Sequence, residues 1–219
     1  MTNKIYCDIL FVRCENLGGK MIVLIDKLQI NLTEDFRRIE KMPDDPENCE
    51  VFGYMTDESN CLLYLIPNTD DFFDGDLGGI VDGIHNSLAE NQGLIEVADG
   101  KTLKGGEYVY SIVKTVDEEM GTQYCLTLDY KIDDRCVTAQ GFFSERGVVG
   151  MRDGVIMADL LNRGDLDESL DGWLCDPYDK AFDRGILKNL SEDEKYDRDF
   201  PNHPLTKARE FIKFFAAMN

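Results

Sequence analysis

Between Lys41 and Lys101 the sequence has no lysine or arginine, yet 14 of its 43 acidic side chains, from Asp44 to Asp99, fall inside that interval. The remainder carries 29 acids against 23 bases, so one contiguous stretch supplies most of the net charge of −20. Nucleic-acid binding rests on cations that displace counterions from phosphates, and anionic lipid surfaces make the same demand. Nucleic acid and membranes are therefore excluded as partners, and a protein partner, of basic character if the acidic stretch recruits it, is the expectation.

Other scarcities narrow the chemistry. With only two histidines, His85 and His203, a histidine-rich metal site cannot be built. The seven cysteines, at 7, 14, 49, 61, 125, 136 and 175, are odd in number and include no C-x-x-C pair. They read as reduced thiols, and those on strands as small buried hydrophobes. The N-terminal stretch Lys4, Ile5, Tyr6, Cys7, Asp8 carries no targeting pattern, and its longest apolar run is Ile9 to Val12. No segment approaches the roughly 20 apolar residues of a spanning helix, so a cytoplasmic location is expected.

Phosphate and cation motifs are missing or incomplete. Asp76-Leu77-Gly78-Gly79 lacks the lysine and hydroxyl of a P-loop and the spacing of a dinucleotide fingerprint. Around Asp70 an EF-hand register places Phe72 and Val81 where oxygen ligands are required. In a second acidic cluster Asp165, Asp167, Ser169, Asp171 and Asp176 occupy ligand positions, but Leu170 stands where the turn requires glycine. No cofactor and no metal site is expected.

What is present describes a folded α+β chain. Hydrophobic residues at 43% and aromatics at 10% suffice for one main core. Ile5 to Val12 and Met21 to Ile25 read as neighbouring strands, at least one of them central, separated by Gly18-Gly19. Phe36 to Met42 reads as a short helix stopped by Pro43, and Val51 to Tyr54 with Cys61 to Ile66 as a hairpin. A helix is expected from about Asp76 to Asn91, where Leu77, Ile80, Val81, Ile84 and Leu88 form one stripe and Gly93 follows as a stop. His85 borders that stripe. Four meander strands follow, Leu94 to Val97, Tyr108 to Val116, Tyr124 to Ile132 and Val137 to Phe143, divided at Asp99-Gly100, Gly105-Gly106, Gly121 and Asp133-Asp134. A second helix spans about Val149 to Asn162 and closes at Gly164.

Residues 1–164 thus read as an α+β domain, an antiparallel sheet with helices packed on its faces. Residues 165–219 read as an irregular and helical C-terminal appendage packed on it. Within it Ser191 to Glu194 matches a capping box, and a last helix starts near Pro204. That helix carries Leu205, Ala208, Ile212 and Phe215 on one stripe with Phe211 beside them, and Lys207, Arg209 and Lys213 off it. The stripe is expected to pack back on the domain.

The order helix, four-stranded meander, helix over Gly75 to Asn162 resembles the PsbP-like fold, an α/β/α sandwich. The tail phrases Gly172-Trp173-Leu174-Cys175-Asp176-Pro177-Tyr178 and Phe200-Pro201-Asn202-His203-Pro204-Leu205 resemble those of uncharacterised proteins from anaerobic intestinal bacteria. The first resemblance implies a binding or assembly role and transfers no functional residue. The leading expectation is a non-catalytic cytoplasmic protein-interaction or assembly module. Its docking residues would be the helix-capping acids Asp70, Asp71, Asp74 and Asp76 or the tail residues Trp173, Phe200 and His203. Two alternatives are a hydrolase using Cys175, His203 and a carboxylate, and a cation-responsive protein binding through Asp165 to Asp176.

Overall fold

The computed structural model describes residues 20–68, 76–118 and 120–219. The expected strand Ile5 to Val12 and the acids Asp70, Asp71 and Asp74 lie outside the described residues. From Lys20 the chain forms β1 (Lys20–Ile25) and β2 (Leu28–Thr33), an antiparallel hairpin joined by Asp26 and Lys27 at φ 43° and 67°. Both turn residues have positive φ, as a two-residue turn matching strand twist requires. β2 went unrecognised in the sequence reading although Leu28, Ile30 and Leu32 alternate there, and all three are buried.

Among the described residues the main sheet has seven antiparallel strands. They are β3 (Arg37–Arg38), β4 (Glu50–Met55), β5 (Ser59–Asn68), β6 (Gln92–Lys101), β7 (Glu107–Asp117), β8 (Gly121–Ile132) and β9 (Arg135–Glu145), in the spatial order β3-β4-β5-β9-β8-β7-β6. The expected hairpin and four-stranded meander are therefore present. In β8 Tyr124, Leu126, Leu128 and Tyr130 are buried while their neighbours are half-buried, which is the period-two pattern of a sheet with unequal faces. Register aligns Leu63, Gly141, Leu126 and Ile112 on the same face across β5, β9, β8 and β7. That face meets the β1–β2 hairpin and α3 (Pro204–Met218), which inserts Leu205, Ala208, Phe211, Ile212 and Phe215 into the main core. Each large apolar side chain so buried contributes roughly 1.5–3 kcal/mol before ordering costs. On the other face α1 (Leu77–Ser87) covers only the β6–β7 end, joining Val81 to Leu94, Val97 and Val113. α2 (Met151–Arg163) ends on Gly164 in the left-handed region, as expected, and builds a second small core with Trp173.

Several expectations are corrected. Residues 36–42 form no helix: Phe36 is buried edge-on to Tyr54 and Phe211, Arg37 and Arg38 pair with β4, and the Ile39 amide donates to the Val51 carbonyl. So short a helix would be marginal alone, whereas the open side of β4 offers the same backbone ready partners. α1 stops at Ser87, and Gly93 lies inside β6. A Cβ at Gly93 would come 1.6 Å from the Ile186 carbonyl oxygen, so the glycine there answers to a close approach of the tail rather than to a helix end. Asp99-Gly100 is likewise strand; the Tyr108 ring lies over Gly100, and the reversal falls at Thr102 to Gly106. The capping box belongs to Asn189 and Glu192, two residues upstream of the expected one. Arg209, read as off the apolar stripe, is buried.

The end of α3 closes on the rest of the fold. Its last carbonyls lack intrahelical donors. Here Leu103 N donates to Ala216 O, Lys104 N to Asn219 O, and Asn31 Nδ2 to Met218 O at 2.8 Å. The fully buried Asn219 side chain returns the contact, accepting from Asn31 N at 2.7 Å and donating to Asn31 O at 3.1 Å. These bonds fix the turn after β6 against the helix end.

Candidate functional site

Two places in the fold concentrate chemistry. The first is a buried seam of charge where the tail crosses the sheet. The Arg152 guanidinium, at the start of α2, is 1% exposed and has five N–H donors. All have acceptors: Ser191 O at 2.7 Å, Asp193 O and Thr206 Oγ1 at 3.1 Å, Asp197 Oδ1 at 3.0 Å and His203 Nδ1 at 3.4 Å. Arg209 pairs with Asp197 at 3.1 Å and Glu96 at 2.9 Å, and burial, which would lower its pKa, is outweighed by those two carboxylates. Lys114 from β7 and Tyr124 from β8 donate to Glu192 at 2.9 and 3.0 Å. Burial, then the neighbouring carboxylates, raise the Tyr124 phenol well above its ordinary value. Among the described residues the one buried side-chain polar atom without a partner is Asn60 Oδ1, which is not in this seam. The seam's charges answer one another and leave no group reaching for a ligand.

His203 is part of this seam. Its Nδ1 accepts from the Leu205 amide at 3.2 Å as the N-cap of α3, which leaves the ring proton on Nε2, 3.9 Å from Glu145. Burial, then Arg152 and Arg209, depress its pKa from 6.5 to about 3. An imidazole so placed stays neutral at pH 7 with its lone pair occupied. Cys175 is exposed on β10 (Leu174–Cys175), which pairs with β11 (Lys188–Asn189), and it is not among the groups bonded to His203. Trp173 is buried against Ile156, Leu160 and Leu166, and Phe200 packs half-buried on the same cluster beside the Arg152 guanidinium. Asp76 caps α1, accepting from Gly79 N at 2.7 Å.

The acids of the Asp165 to Asp176 loop turn in different directions. Asp165 pairs with Arg163, Asp167 accepts from the Ser169 amide and hydroxyl, and Asp176 is buried at 2.9 Å from His85 Nε2. Bonds from Ser169 hold the Asp167 carboxyl below its usual range. Among the described residues no group of three or more His, Cys, Asp or Glu side chains is arranged to hold a metal ion. His85, stacked on Phe182 at 4.0 Å, anchors the tail to α1.

The second place is a groove of about 510 Å³ between the end of β6 and the last turns of α3. Its wall and floor are Ala98, Tyr108 and Tyr110 from the sheet, Ile212, Ala216 and Ala217 from the helix, and Leu103 from the turn. Leu103 is 83% exposed, unusual for a leucine whose own amide is tied down. Tyr110 donates to Glu96, so the groove adjoins the seam at Arg209. Lys101 and Lys213 stand at the rim, paired with Glu107 and Glu194.

Among the described residues β6 is an edge strand, and the tail covers only its first part. Ile186 N donates to Gln92 O at 2.8 Å, and the Tyr178 hydroxyl both receives the Val97 amide at 2.5 Å and donates to the Val97 carbonyl at 3.0 Å. Because outward groups recur every second residue, Asp99 and Lys101 direct N–H and C=O away from β7. Among the described residues nothing bonds to them. The sequence reading missed this place because it assigned Asp99-Gly100 to a turn, which removed the edge from view. No local signal marks the groove, because Leu103 and the helix-end residues Ala216 and Ala217 are brought together only by tertiary structure.

A scan of protein-family models finds none that matches the chain, and a search of curated proteins finds no similar sequence. Among the described residues no helix is long and apolar enough to cross a membrane.

Proposed function

We propose that the chain is a non-catalytic protein-interaction or assembly module that works in the cytoplasm. The observation that carries this reading is the groove at the end of β6: an apolar floor with an exposed leucine, beside a strand edge that the tail leaves open. The closed accounting of the buried charges supports it, because the polar groups that could do chemistry are consumed in mutual contacts. Burial raises the thiol pKa of Cys49, Cys61 and Cys125, and an unreactive, reduced state of these residues suits a reducing compartment. The charge of −20 disfavours nucleic acid and anionic membranes as partners.

The reading is tested by placing a photo-crosslinking amino acid at Leu103 and, as a control on the far edge of the sheet, at Met55. Illumination in extract of the native host is expected to give a discrete adduct from position 103 alone, with its partner identified by mass spectrometry. Absence of such an adduct, or the same adducts from both positions, would remove the reading. So would turnover of ester or peptide substrates that disappears in both Cys175→Ser and His203→Asn.

A further inference from the structure

The open stretch of β6 has a chemistry of its own, apart from the apolar groove beside it. Backbone N–H and C=O groups in a row are a template for one kind of partner, another extended chain. The tail already satisfies the upstream half of the same edge, through one backbone bond from the Ile186 amide and the side-chain hydroxyl of Tyr178. At Asp99 and Lys101 the template continues with no occupant among the described residues.

A strand laid against these residues would alternate its side chains between the two faces of the sheet. On the α3 side they would meet the small residues Ala98 and Gly100 and pass into the groove between Tyr108, Leu103 and Ala216. The Tyr108 ring covers Gly100, so the seat on this side is the apolar groove beside Ala98. Side chains on the other face of the added strand would stand beside Asp99 and beside Lys101, whose charge is paired with Glu107, on a protein of net charge −20. An acidic segment is repelled by that field, and so is a second copy of this chain. We infer that the end of β6 captures an extended, non-acidic peptide segment of a partner protein by strand addition at Asp99 and Lys101, with alternate apolar side chains seated in the groove. The inference rests on the interaction-module reading and specifies the class of partner and the mode of binding.

Proline offers a clean test, because an edge strand tolerates it where the amide faces outward. Asp99→Pro deletes one outward donor and leaves the ladder to β7 in place. The probe is a fluorescein-labelled peptide of about nine residues in which valine alternates with lysine and threonine, titrated with the full-length chain and followed by anisotropy. Binding in roughly the micromolar range is expected. It should weaken about tenfold or more in Asp99→Pro and in Ala216→Trp, which fills the groove, and for a peptide N-methylated on alternate backbone amides. A counterpart with aspartate in place of lysine should bind less well. Hydrogen exchange should show the Asp99 and Lys101 amides protected when the peptide is present, a response that a merely structural role would not produce. The inference is overturned if the N-methylated peptide binds as tightly, if the two variants bind unchanged, if no binding is seen up to about millimolar peptide, or if the chain self-associates in a way the peptide does not displace. Should the Leu103 crosslink persist in Asp99→Pro while the peptide results fail, strand addition falls and the interaction reading stands. A chain that gives no crosslink at position 103 loses the interaction reading itself.

Discussion

Arg209 and Ile212 sit three residues apart on α3, and the surfaces they help build differ in one decisive respect. At Arg209 every buried polar group is matched: guanidinium with Asp197 and Glu96, Lys114 with Glu192, Arg152 with five acceptors. Beside Ile212, itself buried, Leu103, Ala216 and Ala217 carry the apolar wall out to an open groove, and the nearby strand edge keeps backbone groups in reserve. The contrast teaches where to look for function in an acidic protein rich in ionisable residues. Buried charge in this molecule is spent on holding the tail to the sheet, and incomplete bonding marks the surface with something left to bind.

If that contrast is right, breaking the seam damages the fold and altering the groove does not. The largest effect is expected for Arg152→Ala. The substitution strands Asp197 with one cation fewer, removes the buried Arg152 donor from the Ser191 carbonyl and leaves the Asp193 carbonyl with the Tyr196 amide alone. Losing one partner of a buried ionic network costs about 3–5 kcal/mol. Arg152→Lys should recover little of it, since an ammonium cannot reach five acceptors arranged around a planar fork. Denaturant unfolding checks both. A loss under about 1 kcal/mol for the alanine variant would reduce the seam to decoration and erase the comparison.

A second effect is set by pH. His203 titrates near 6.5 when unfolded and at about 3 in the fold, where it faces Arg152 of α2, Arg209 of α3, Glu145 of β9, Tyr124 of β8 and, through Arg152, Asp197. Because the folded pKa is the lower one, the unfolded chain binds more protons between these values, and stability falls as pH drops through that window. The full difference corresponds to roughly 5 kcal/mol at 1.36 kcal/mol per pH unit, lost progressively from about pH 6.5 down to about pH 3. Depressed carboxyls such as Asp193, held down against burial by Lys188 and Lys195, add a loss of the same sign at lower pH. His203→Asn keeps an N-cap acceptor and removes the titration. Its melting temperature should depend less on pH between 6.5 and 4 than that of the parent chain, and parallel profiles would show that His203 is not held neutral by the seam.

How far the sequence foretold these surfaces depends on the range of the interactions involved. Helices α2 and α3 and strands β7 to β9 were legible because their apolar spacing and flanking turns are local signals; the Leu205, Ala208, Phe211, Ile212 and Phe215 face was visible in full. Residues 36–42 misled because a spacing of three suits a helix, while the open edge of β4 that claims this segment lies elsewhere in the chain. Gly93 and Gly100 were mistaken for punctuation because a glycine required by the approach of Ile186 or by an overlying tyrosine looks the same in sequence as one required by a turn. The seam was illegible for a similar reason. Arg152, Asp197 and Arg209 are spaced as ordinary surface charges, and only the docking of the tail buries them together. The groove could be read only after β6 was known to run on to Lys101.

The smallest expected effect is the most informative about function. Leu103 is 83% exposed and contributes its amide, not its side chain, to the cap of α3. Leu103→Ser keeps that amide, so its stability should stay within about 0.5 kcal/mol of the parent, as for surface substitutions remote from caps and cores. Lys101→Ala removes a pair whose members are 71% and 55% exposed and screened by solvent, and it should leave the melting temperature nearly unchanged. Natural sequences seldom keep a large apolar side chain so exposed beside an apolar groove without a use for the surface. Near-neutral stability together with loss of the position-dependent crosslink, read from a neighbouring site such as Ala217 in the Leu103→Ser chain, would mean that the leucine is maintained for binding. A loss above about 1 kcal/mol would instead assign Leu103 to the packing of the helix end, and the groove would join the seam as part of the scaffold.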